Sequence, residues 1–113
     1  MNKQQFKKIS KWQDKTFGKA TALSKITHLK QEIEELKLEL LNYYTSKNIE
    51  QLEENKLHKE SEFADCFILL FGVASSDGMA YDDIVKCIEE KMKINYKRKW
   101  GKPQANGVVN HLK

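Results

Sequence analysis

The chain contains one proline and five glycines in 113 residues. That scarcity excludes a collagen-like repeat and a low-complexity disordered segment. Its two cysteines, Cys66 and Cys87, stand without CxxC spacing, which argues against both a zinc ribbon and a disulfide framework. Long hydrophobic runs are missing too. The apolar stretch from Cys66 to Ala74 has nine residues, far short of the roughly 20 that span a bilayer. The N-terminal MNKQQFKKIS is basic but has no apolar segment behind it, so no secretory signal is expected. No convincing strand pattern and no internal repeat stand out. These absences predict a cytoplasmic, all-α protein with no membrane partner, built as a single domain over residues 1–113.

What is present is charge, unevenly spread. Hydrophobic residues make up 40% and charged residues 32%, with a net charge of +4. Residues 1–30 hold eight lysines and one aspartate, residues 31–65 ten acids and four lysines, and residues 66–113 eight basic residues and five acids. A basic balance alone suggests nucleic acid or an anionic surface. An acidic centre between basic ends suggests a site for cations and phosphates together.

Periodicity predicts about four to five helices. Phe6, Ile9 and Trp12 recur among lysines over residues 3–15, which fits a short amphipathic helix. Thr16–Ser24 contains Gly18 and reads as a loop ending in a Ser or Thr cap. Leu29, Ile33, Leu36, Leu40 and Tyr43 mark a helix over about residues 25–46. The charged stretch 49–61 reads as a solvated helix or a loop with one helical turn. A helix over about residues 57–75 is apolar nearly all round from Cys66 to Ala74, as a central buried helix would be. Ser75-Ser76-Asp77-Gly78 supplies a stop. A last helix spans about residues 81–97, opened by Asp82 and Asp83, and residues 98–113 form a non-helical tail. A small bundle with so apolar a central helix is expected to associate with copies of itself. Cys66 and Cys87 read as buried apolar thiols.

The acids carry the chemistry. At about 100° per residue, Glu32, Glu35 and Glu39 fall within an arc of roughly 60° beside the core-facing stripe, and Glu62 and Asp65 lie one turn apart beside Cys66, Leu69 and Val73. Clustered, desolvated carboxylates repel one another. Some stay protonated, basic side chains pair with them, or a hard cation neutralises them. Oxygen ligands without His or Cys favour magnesium or manganese over zinc. The plainer alternative is that these are ordinary surface acids, the expected state of Glu39, Glu53 and Glu54.

The pairs form E-x-x-E (Glu32, Glu35), 26 intervening residues, then E-x-x-D (Glu62, Asp65). With the phrases HLKQEIEEL, EFADCFILL and EKMKINYKRKWGKP, this resembles the MazG-like all-α nucleoside triphosphate pyrophosphohydrolases. The tail NGVVNHL and the early W-x-x-x-x-FG resemble the branch described as dATP/dGTP diphosphohydrolases of phages and bacteria. One residue departs: Asn106 stands before Gly107 where an acid is more usual. The resemblance implies a MazG-like bundle in which Glu32, Glu35, Glu62 and Asp65 hold Mg2+ (or Mn2+) against a triphosphate. Water then attacks the α-phosphorus, releasing a nucleoside monophosphate and pyrophosphate. Glu35 is the first choice of general base, with Glu32 next.

Lys91, Asn95 and Arg98 share an arc of roughly 60° that continues the face of Ile84, Cys87 and Ile88. Inward cations at a helix end satisfy terminal carbonyls or meet an anion, and the resemblance favours substrate phosphate. Trp12, Phe17, His28 and Trp100 are the candidates to enclose the base and sugar, and the resemblance puts Trp12 and Phe17 first. Trp12 and Phe17 are otherwise core anchors. The expected activity is hydrolysis of a (d)NTP, purine dNTP favoured, by a homodimer or homotetramer. The alternatives are a non-catalytic helical interaction module and, behind it, a basic nucleic-acid-binding protein, whose affinity would fall steeply with salt.

Overall fold

The computed structural model describes residues 1–18 and 20–113. Four helices, α1 (Lys3–Phe17), α2 (Ala22–Tyr44), α3 (Ile49–Ser76) and α4 (Tyr81–Lys97), account for its regular structure, with no strand among the described residues beyond an isolated Trp100–His111 bridge. The protein is all-α. Its chain forms two compact units, Met1–Tyr81 and Asp82–Lys113.

Local chemistry sets the helix ends. Asn2 and Gln5 form a reciprocal capping box on α1: the Gln5 amide donates to Asn2 Oδ1 at 2.9 Å, and the Asn2 amide to Gln5 Oε1 at 3.0 Å. Thr21 caps α2 by accepting from the Ser24 amide. Asn48 caps α3 by accepting from the Gln51 amide at 2.8 Å. At the far end of α3, Gly78 N donates to Ser75 O and Met79 N to Ala74 O, both at 3.0 Å. This paired closure needs a left-handed residue, and Gly78 supplies it with φ 92°.

One open alternative is decided and two expectations are corrected. Of the two readings open for residues 49–61, the solvated helix is the one found: they form the first half of α3, which runs unbroken from its Asn48 cap. Likewise α2 starts at Ala22 and α1 reaches Phe17, leaving a shorter connection than Thr16–Ser24, and Lys19 within it lies outside the described residues. The third concerns α3: Leu69 and Gly72 are buried, but Phe67 and Leu70 are 60% and 55% exposed, so the central helix has one covered side within a single chain.

Within the first unit, α2 and α3 pack along much of their length. Asn55 donates to Asn42 O, and His58 faces Glu39. Glu62 meets Glu35 and Glu32 farther along. As the α2 numbers fall the α3 numbers rise, so the pair is antiparallel, advancing three or four residues per contact as facing helices require. The next helix, α1, lies on α3. Its buried face is not the Phe6–Ile9–Trp12 stripe. Three residues turn a helix by about 300°, so two such steps drift about 120° away, whereas seven residues return almost to the start. Phe6 and Gln13 are accordingly the buried pair, and Trp12 is 54% exposed. Phe6 packs edge-on against Phe71, with centroids 6.0 Å apart, and at a tilt of 45° against Tyr81 at 5.8 Å.

In the second unit, Ile84 is the buried residue of α4. Cys87 and Ile88 are exposed, which corrects the expectation of a buried Cys87 on a continuous inner face. Cys66 is half-buried. The tail folds back on itself through Gly101 N to Asn110 O at 2.9 Å and Gln104 N to Val108 O at 2.8 Å.

Candidate functional site

The α2–α3 hairpin brings carboxylates from two helices to one point. One oxygen from each of Glu32, Glu35 and Glu62 lies within 4.8 Å of the others. Glu32 and Glu62 are half-buried, and Glu35 is exposed. The Glu62 Oε2 atom is buried with no hydrogen-bond partner. Its carboxyl is pushed up to about 7. Burial is the largest cause, followed by a hydrogen bond with Glu32 and by the negative charges of Glu32, Glu35 and Asp65. Neighbouring Cys66 is raised as well, first by burial and then by Glu62, Glu32 and Asp65. Its thiol stays protonated at neutral pH and is a poor nucleophile there.

Asp65, the fourth predicted acid, is exposed and stands outside that triplet. Glu32 and Asp65 together line a cleft of about 250 Å³, closed by Trp12, Phe17, His28, Ile68 and Leu69. Within it, Phe17 stands edge-on to both Trp12 (5.6 Å) and His28 (5.7 Å). Trp12 and Phe17, 54% and 41% exposed, are thus not core anchors. His28 Nε2 lies 3.5 Å from Glu32 Oε1. Five of the predicted residues, from three helices, therefore share this cleft.

The donor set fits a hard divalent cation. All three clustered ligands are carboxylate oxygens, one of their buried oxygens has no partner, and mutual repulsion is what a cation would remove. His28 is the nitrogen nearest the triplet among the described ion pairs, and it faces a single carboxylate, so a zinc-type set is not assembled.

Lys91, Asn95, Arg98 and Trp100 belong to the second unit. Lys91 is exposed, while Asn95 and Arg98 are half-buried. Asn95 Oδ1 is buried without a partner, and its backbone oxygen accepts from the Trp100 indole at 3.2 Å. Trp100 also stands edge-on to His111, with centroids 6.0 Å apart.

Two features escaped sequence reasoning. Glu39 is half-buried rather than a free surface acid: its Oε2 is enclosed and lies 3.9 Å from His58 Nδ1. Its place in the E-x-x-x-E series after Glu35 was the available signal. Gln13 is fully buried, with Nε2 donating to Ile68 O at 2.8 Å, and its sequence gives no sign of this beyond the seven-residue spacing from Phe6.

The family described as dATP/dGTP pyrophosphohydrolase matches residues 5–113 of the chain. No curated protein and no solved structure matches it significantly.

Proposed function

The chain belongs to the dATP/dGTP pyrophosphohydrolase family, and from that membership and the carboxylate cluster we propose that it hydrolyses purine dNTPs to dNMP and pyrophosphate in a magnesium-dependent reaction. The observation that carries the reading is the convergence of Glu32, Glu35 and Glu62 at the edge of an aromatic cleft. Glu32, Glu35 and Glu62, with Asp65 beside them, would hold the cation. When bound, such an ion neutralises phosphate charge and acidifies water.

The chain's own groups do the rest. Glu35 keeps solvent access, as a residue that takes a proton from an attacking water must. Attack forms a bond to the α-phosphorus and breaks its bond to the bridging oxygen, which leaves with pyrophosphate. Trp12 and Phe17 flank the base, and His28 orients Glu32 or contacts the sugar. Lys91, Asn95 and Arg98 are assigned to the phosphates, Arg98 by paired N–H contacts. The exposed Phe67 and Leu70 favour a homodimer or homotetramer, since monomers seldom leave such apolar faces open. Sedimentation should show association that Phe67→Glu abolishes.

The deciding experiment incubates purified protein and magnesium with each common (d)NTP and separates the products. Monophosphate and pyrophosphate in equal amounts are expected, fastest from dATP or dGTP. Stepwise release of orthophosphate, or no turnover with any nucleotide, would overturn the proposal.

A further inference from the structure

We infer that Gln13 is a positioning residue for the cleft: a buried amide that locks α1 to α3 and so fixes the Trp12–Phe17 wall opposite Glu32 and Asp65. Gln13 has no exposed surface, unusual for a glutamine on a lysine-rich surface helix. Its Nε2 donates to the carbonyl of Ile68 at 2.8 Å, and Ile68 itself lines the cleft. Its Oε1 is enclosed without a hydrogen-bond partner, lying against Gly72. A Cβ on Gly72 would overlap that oxygen and stand 2.7 Å from Cδ and 3.0 Å from Nε2. The slot thus exists because position 72, one turn beyond Ile68, has no side chain.

A half-satisfied buried amide is a poor choice for stability alone, because an apolar side chain of that size would fill the slot without leaving an acceptor unpaired. What the amide adds is direction. A hydrogen bond to one carbonyl fixes both the rotation and the axial position of α1 on α3, which apolar packing leaves looser. Trp12 is the adjacent residue and Phe17 follows one turn later on the same helix. The α1 wall of the cleft is therefore set by one side chain that does not itself line it.

This inference rests on the proposed nucleotide site, and its test separates the two. Gln13→Met keeps the volume and removes the bond, and Gln13→Ala empties the slot. With Trp100→Phe as background, Trp12 is the single indole. Acrylamide quenching of ligand-free protein should then rise at least twofold in both variants. With dGTP, KM should rise about tenfold in Gln13→Met while kcat changes less than threefold, and inhibition by inorganic pyrophosphate, which has no base, should stay unchanged. Gly72→Ala should raise KM similarly, and adding Gln13→Asn, one methylene shorter, should recover most of it. Unchanged quenching in both folded variants overturns the lock, as does unchanged KM for dGTP. A parent protein that turns over no nucleotide sinks the proposed function instead, and the quenching arm still decides the lock.

Discussion

The two halves of the α2–α3 seam are built from the same helices at the same spacing, yet they treat charge in opposite ways. Toward the Thr45–Asn48 link, polar groups meet complements. Asn55 donates to Asn42 O and Ser46 Oγ, His58 faces Glu39, and the Lys59 ammonium sits 4.6 Å from the centre of the Tyr43 ring. One turn farther along, like meets like: Glu32, Glu35 and Glu62 converge, with Asp65 nearby, and His28 stands against Glu32. A seam that needed only to hold two helices together would continue the first arrangement. The second makes sense where positive charge arrives from outside, and that is what separates a site from an interface.

The largest test of this contrast is catalytic. Glu35→Gln should lower kcat for dGTP by about 10²–10⁴ with little change in thermal stability, whereas Glu39→Gln, one turn along the same helix, should leave kcat within about an order of magnitude. Equal losses would erase the distinction between the two ends.

Metal-free stability should differ next. Because the folded-state pKa of Glu62 is raised from 4.5 to about 7, the folded protein binds the extra proton between those values. Its contribution to stability is complete below about 4.5 and is lost as pH rises through about 7. The loss is on the order of 1–2 kcal/mol, reduced from the full shift because the carboxyl keeps some solvent access. Melting in EDTA across pH 4.5–8 should show this decline, and Glu62→Gln should flatten it. Adding magnesium at pH 8 should reverse it, by about 2.7 kcal/mol at a hundredfold excess over Kd. A melting temperature indifferent to both pH and magnesium would mean that the acids neither repel nor bind.

The smallest effect belongs to the complementary end. A double-mutant cycle on Glu39→Gln and His58→Ala should give a coupling of roughly 0.2–1 kcal/mol, with no response to magnesium. A larger coupling that does respond would move His58 into the site.

Much of this was legible in the linear chain because it depends on short-range rules. α4 falls at Tyr81–Lys97 as its acidic first turn indicates, and the stop after Ser76 uses the expected Gly78. The two acid pairs were visible because 3.6-residue periodicity alone puts both beside the apolar stripe. Long-range facts were not. Gln13 finds Ile68 across 55 positions, and nothing near either residue announces the encounter. The three-residue stripe of Phe6, Ile9 and Trp12 marks an amphipathic helix and leaves Trp12 open as core anchor or cleft wall, and only the packing of α1 shows that the buried face turns toward Gln13. The charged start of α3 looked ambiguous because solvated helices lack apolar periodicity, yet neither proline nor glycine follows the Asn48 cap before Gly72.

The opposed numbering of α2 and α3 has a practical consequence for chain-length variation. An extra residue in the Thr45–Asn48 link adds slack but leaves each helix in phase. The same residue inserted between Glu35 and Glu39 would swing Glu32 and Glu35 about 100° around their axis, dismantling the acid pocket while every carboxylate remains in the polypeptide. Homologues that differ in length should therefore carry their insertions in the link, and never between the first acid pair and the turn.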